Sequence, residues 1–207
     1  MIERRFAILV GVYVAVVCTA QVTANKIVVA PWTHLSVPGG TYLIGIALAL
    51  IELAHYTAPS RREGALNAQV MILMGFVASA LLAGYIALIV HSKPAFPGQS
   101  FDAALGSTWR IVLGSLAAFI VSETIDNALG FWARDRVSDA VRVIGTNAVS
   151  APLDSLVFLL IAFGNLSSFG GQYAAKMAAT VVVGLPLVLA SRRVVAGGEP
   201  QIAASGP

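Results

Sequence analysis

Charge is scarce in this 207-residue chain: Asp, Glu, Lys and Arg together make up 11% of it, against roughly 25% in an ordinary soluble domain. A water-solvated surface of normal extent is excluded. A single cysteine cannot form an internal disulfide. Cys18, preceded by Val17, fits a lipoprotein site poorly and reads as a small apolar helix residue. Catalytic signatures are missing too. No His-Glu-x-x-His, Gly-x-Ser-x-Gly or Gly-x-x-x-x-Gly-Lys occurs, so nothing points to a zinc hydrolase, a serine hydrolase or direct ATP drive. No metal and no cofactor are expected.

What is present is apolar. Hydrophobic residues reach 57% and the mean hydropathy is +0.82. Crossing hydrocarbon takes about 20 mostly apolar residues, or somewhat fewer in a thinned bilayer. Runs of that kind fall at Phe6–Val22, Gly39–Ala58, Leu66–Val90, Ile111–Trp132, Ala148–Phe163 and Tyr173–Leu189. Leu116–Val121 and Leu156–Phe163 are apolar on consecutive positions, which excludes the alternation of a membrane barrel strand. The expected fold is all-α: a polytopic membrane protein of about six transmembrane helices in one bundle. It occupies residues 1–195 and is followed by a disordered tail over 196–207, which carries Gly, Pro, Ser and Gln. For the first run a cleaved signal peptide is the alternative, since Arg4 and Arg5 precede it.

Arginines orient the spans, because basic residues collect in short cytoplasmic loops. If the spans alternate, Arg4, Arg5, Arg61, Arg62, Arg134, Arg136, Arg142, Arg192 and Arg193 share one side, leaving Lys26, Lys93, Arg110 and Lys176 on the other. Both termini are expected to be cytoplasmic. The net charge of +3 then reflects topology, and no nucleic-acid partner is implied. Trp32, Trp109 and Trp132 fall at span ends, where indole rings favour the headgroup layer. Two longer connections, Asn25–Pro38 and His91–Trp109, lie on the outer face; the second reads as a passive connector, with a gate as the alternative.

Acids inside the spans are the main functional lead, since ionisable groups at membrane depth need a reason. Glu52, Glu123 and Asp154 belong to three different spans. Glu123 and Asp126 are three residues apart and share a helical face, which Ser115, Ser122 and Asn127 broaden into a polar stripe. At about 1.5 Å of rise per residue, Glu123, Asp154 and Glu52 lie roughly 12, 10 and 9 Å from the cytoplasmic ends of their spans. Such coincident depth suits one shared pocket inside the bundle. The structural alternative is that each acid merely ties helices together, Asp154 for instance with Arg142. His55, near a span end, reads as interfacial. Arg110 is either a snorkelling anchor or a substrate contact, and Asn25, Asn147 and Asn165 are helix caps first and ligands second.

Two linked stretches also resemble a known family. Arg110, Gly114-Ser115, Ala118-Phe119, Ser122 and Asp126, followed by Asn147, Ser150, Asp154-Ser155, Phe158 and Ile161-Ala162-Phe163-Gly164, look like the paired motifs of the VUT family of queuosine precursor transporters. The resemblance extends more loosely back to Pro38-Gly-Gly-Thr-Tyr and Glu52. It implies a multi-pass protein of the bacterial inner membrane that takes up 7-cyano-7-deazaguanine, or its aminomethyl relative, for tRNA modification. That guest suits the residues. Its donor edge matches a carboxylate such as Glu123 or Asp154, its carbonyl matches a Ser or Asn, and Phe119, Phe158 or Phe163 would cover the flat ring. The expected substrate-binding set is Glu123, Asp154, Asp126, Glu52, Ser122, Asn147, Ser150, Arg110, Phe119 and Phe158. Partners are the small deazapurine and membrane lipid, with proton coupling and homo-oligomerisation both open. A structural or substrate-binding subunit of a larger transport complex is the alternative, and an intramembrane enzyme ranks after it.

Overall fold

The computed structural model describes residues 2–24, 26–29, 34–90 and 109–196, with the side chains at 2–4, 90, 109, 110, 112 and 191–196 outside the description. Asn25, Trp32, residues 91–108 with Lys93, residues from 197 onward and the side chains of Trp109 and Arg110 therefore lie outside the described residues. The elements are α1 (Ile2–Thr23), β1 (Ile27–Val29), β2 (Ser36–Pro38), α2 (Thr41–Thr57), α3 (Arg61–Val90), α4 (Trp109–Ala133), α5 (Asp139–Phe163), α6 (Phe169–Ala179), a π-helical turn (Thr180–Gly184) and α7 (Leu185–Ala196). The last three form one rod, so the described residues make a bundle of six helical rods. α1, α3, α5 and the α6–α7 rod each hold a segment long and apolar enough to cross a membrane, and α2 is shorter at 17 residues.

Local chemistry sets the boundaries. Ser138, in extended conformation, caps α5 by accepting from the Val141 N–H, and Asp139 adds favourable charge in the first turn. Gly164 ends α5 with φ +67, a left-handed conformation that glycine adopts without steric cost. The π-turn has a cause in sequence as well. Pro186 has no N–H to donate to the carbonyl four residues earlier, and the Leu185 N–H reaches back five residues to the Thr180 carbonyl. The connection between α1 and α2 carries a feature that an all-helical reading lacks, an antiparallel pair with Ile27 opposite Pro38 and Val29 opposite Ser36.

Arginines gather at one end of the bundle. Arg134 donates to the carbonyls of His55, Ala58 and Ser60 at 2.5, 2.7 and 2.9 Å, clamping the turn between α2 and α3. Arg61 meets Asp135 at 2.7 Å. α1 starts and α7 finishes at this same end, because Ala20 abuts Gly40 at the opposite end and the α6–α7 rod runs down α2 from Gly45 to Ala49. At Gly45 an added Cβ would stand 2.7 Å from both the Ala179 Cβ and the Lys176 carbonyl, so glycine permits the close approach of α2 and α6.

The distribution of polarity is that of a lipid-solvated protein. Outward-facing Leu81, Leu88 and Val182 are 69%, 71% and 71% exposed, whereas Glu52, His55, Glu123, Asp126, Asn147 and Ser150 are all 0% exposed. Water rewards the reverse arrangement. A smaller apolar core of Tyr13, Val17, Leu50, Ile51, Met71, Ile72 and Phe119 packs α1, α2, α3 and α4 together. His55 is thus interior rather than interfacial, buried beside Gly130 of α4.

Candidate functional site

The buried polar side chains form a ladder along the seam between α4 and α5, with α1, α2 and α6 closing it. On α5 the positions 142, 146, 150 and 154 recur every four residues and so share one face. At the end away from the arginines, Asp154 ion-pairs with Lys176 of α6. Its other oxygen accepts from Ser122 Oγ at 3.1 Å. Lys176 Nζ also donates to Ser155 Oγ at 2.8 Å and lies 3.5 Å from Gln172 Oε1. Next along the ladder, Tyr13 of α1 donates to Glu123 Oε2 at 2.8 Å, and Ser150 donates to Asp126 Oδ1 at 2.9 Å. Near the arginine end, Glu52 accepts from Thr146 Oγ1 at 3.1 Å and lies 2.5 Å from Arg142 Nε. That N–H is not aligned on the oxygen, so the contact acts as an ion pair rather than as a directed hydrogen bond.

Both cations are as buried as the acids they face: Arg142 is 3% exposed and Lys176 is 1% exposed. Buried charges persist only when paired and hydrogen-bonded, and each pair here joins different helices. Glu123 and Asp126 have hydroxyl partners and, among the described residues, no ion pair. The ladder also holds polar atoms without a hydrogen-bond partner among the described residues, including Glu123 Oε1, Asn147 Oδ1, Gln172 Nε2 and Arg142 Nη2. Each such group is costly inside a protein, and together they outline positions where a polar guest or water completes the network.

Among the described residues, openings reach the ladder from both ends. At the end away from the arginines a cavity of about 30 Å³ is lined by Ala20, Thr41, Ser115, Phe158, Asp154 and Lys176, among others. It has room for about two waters. At the arginine end a larger groove of about 260 Å³ lies between α4 and α5, bounded by Leu129, Trp132, Val141, Gly145, Val149, Arg142 and Thr146.

A family model described as "Putative vitamin uptake transporter" matches residues 45–190. The chain belongs to this family. No curated protein and no solved structure matches it. The matched stretch of the vitamin uptake transporter family runs from α2 into α7 and contains every ladder residue except Tyr13. The protein is accordingly a multi-pass membrane transporter.

Within this transporter the expected residues separate into groups. Asp154 and Phe158 line the small cavity, with Ser122 bonded to Asp154. Asp126, Ser150 and Glu52 occupy the remainder of the ladder, so the acids form a series in place of the single chamber expected for them. Asn147 is mid-helix, donating to the Val143 carbonyl at 2.8 Å, and is not a cap. Phe119 lies away from the cavity, its ring centroid 6.1 Å from that of Tyr13 in the apolar core. The role expected for Arg110 concerns a side chain outside the described residues.

Two cations were assigned wrongly from sequence. Lys176 is not an outer-face charge, and Arg142 is not a loop residue; both belong to the interior. A signal for Lys176 existed, since it stands three residues inside the apolar run Tyr173–Leu189 and an intramembrane lysine requires an acid. Arg142 escaped because Asp139, Arg142, Thr146 and Asn147 interrupt the hydropathy pattern, although the stretch is helical and its inner face is buried. Tyr13 and Thr146 carried no sequence signal beyond being polar residues in or beside apolar runs.

Proposed function

We propose that this transporter imports a deazaguanine precursor of queuosine, 7-cyano-7-deazaguanine or its aminomethyl relative, across the bacterial inner membrane, with both termini and the arginine end cytoplasmic. The observation that carries the reading is the cavity floored by Asp154 and Lys176 and walled by Phe158. An acid and a base side by side suit a guest with donors on one edge and a carbonyl on another. Asp154 would accept the ring N–H and amino donors, Lys176 would donate to the carbonyl, and Phe158 would cover a ring face. The guest would thereby replace the Asp154–Lys176 pair with two pairings of its own. A cavity of about 30 Å³ is too small for a bicyclic base, so admission requires helices α1 and α2 to part from α4 and α5.

The test is uptake of labelled 7-cyano-7-deazaguanine by cells unable to make it, with and without a proton gradient. Asp154→Ala and Glu123→Ala abolish uptake on this reading. Wild-type uptake by either variant at equal membrane expression would remove that residue from the site.

A further inference from the structure

The groove between α4 and α5 at the arginine end has no part in the reading above, yet it ends on the ladder. Its walls are apolar, formed by Leu129, Val141 and Val149, with Trp132 at the rim, 60% exposed. Its floor is Arg142 and Thr146. Arg142 is 3% exposed, and its Nη2 has no hydrogen-bond partner among the described residues. Its Nε faces Glu52, while the guanidinium carbon lies 5.9 Å from the Tyr56 ring centroid. A guanidinium that lines a groove and still has a buried N–H without an acceptor is a donor that an entering ligand could satisfy.

We infer that this groove is a second binding site for the transported base, the release site, in which the Arg142 guanidinium donates to the guest's carbonyl and the Glu52–Arg142 pair closes the path behind it. The inference rests on the proposed function for the identity of the guest. Three observations support it. The groove's volume of about 260 Å³ approaches the range of small-molecule sites, about 300–1,000 Å³. Apolar walls with a few convergent polar groups, here Arg142 and Thr146, are what a flat heteroaromatic ring needs. And the groove and the Asp154 cavity stand at opposite ends of one polar ladder, each floored by a cation that is ion-paired to an acid on another helix. Opening either pair exposes the ladder from one end only, so the two ion pairs serve as separate doors, Asp154–Lys176 for entry and Glu52–Arg142 for exit.

Cysteine protection tests this in proteoliposomes, using Cys18→Ala protein, since Cys18 is the chain's one cysteine. Val141→Cys, at a position 58% exposed on the groove, and Ser115→Cys, at the other cavity, are each labelled with a membrane-impermeant maleimide. Saturating 7-cyano-7-deazaguanine is expected to slow labelling at both positions several-fold. Adding Arg142→Lys should abolish protection of Val141→Cys while leaving protection of Ser115→Cys intact, because lysine lacks the second N–H donor of the fork. Protection at Ser115→Cys with unchanged labelling at Val141→Cys overturns the release site and spares the proposed substrate. Loss of protection at both positions, together with absent uptake, overturns the proposed substrate itself.

Discussion

Removing Lys176 alone should damage this protein more than removing Lys176 and Asp154 together. The single substitution Lys176→Met leaves the Asp154 carboxylate buried at 5% exposure, with one hydroxyl, Ser122, to serve it. Breaking a buried pair from one side costs about 3–5 kcal/mol, whereas replacing both partners by apolar residues of similar volume is often close to neutral. For a chain of this length each kcal/mol moves the melting temperature by about 2–4 °C. Lys176→Met should therefore melt roughly 6–20 °C below wild type. Asp154→Leu/Lys176→Met should recover most of that loss, less about 1 kcal/mol for Ser122, whose remaining acceptor is the Phe119 carbonyl at 3.4 Å; Ser155 keeps its 2.9 Å bond to the Ala151 carbonyl. The assay is thermal unfolding of purified protein in detergent, followed by uptake in proteoliposomes. The double variant should be stable and inactive, which separates the pair's role in folding from its role in transport. A double variant as unstable as the single one refutes the energetic argument, and a double variant that still transports refutes the proposed entry site.

The close approach of α2 and α6 predicts that Gly45→Ala, whose new methyl would stand 2.7 Å from the Ala179 Cβ and the Lys176 carbonyl, costs about 1–3 kcal/mol of stability. Gly11→Ala, with nothing within 4 Å, should be neutral or stabilising by up to about 1 kcal/mol; equal melting temperatures for the two variants would refute the packing claim. At the arginine end, the hydrogen bond and charge of Arg61 hold the exposed Asp135 carboxyl below its ordinary value of 3.8. A value depressed by folding contributes stability above the ordinary one, and this is lost as pH falls through the folded one. Arg61→Gln should therefore reduce the fall in stability below about pH 4, and an acid limb unchanged by the substitution would count against the pairing.

Much of the fold was legible because lipid rewards uniform apolarity. The expected span Ile111–Trp132 lies within α4, Trp109–Ala133, and Leu66–Val90 within α3. Hydropathy reads only the side of a helix that lipid touches, however, so it placed the start of α5 at Ala148 when the helix begins at Asp139, with Arg142, Thr146 and Asn147 turned inward. The acids of the site could be read for the same reason: Glu52, Glu123, Asp126 and Asp154 stand out against apolar neighbours. Their partners could not. Pairing across helices depends on rotation and depth, and sequence leaves both free: Glu52 faces Arg142 across 90 positions, and Tyr13 faces Glu123 across 110. Sequence spacing of the acids suggested one chamber, where the helices set them in series.

The π-turn at Thr180–Gly184 bears on how Lys176 could move. Each helical residue turns the chain by about 100°, so Lys176 and Gly184, eight residues apart, would point about 80° away from one another on a regular helix. Because the wide turn takes up one residue, that mismatch shrinks to about 20°, and both meet α2, at Gly45 and Ala49 respectively. The rod thus stores one residue of slack directly below its lysine. Passing that slack along the chain would swivel the lysine off its aspartate while the rest of the rod kept its grip on α2.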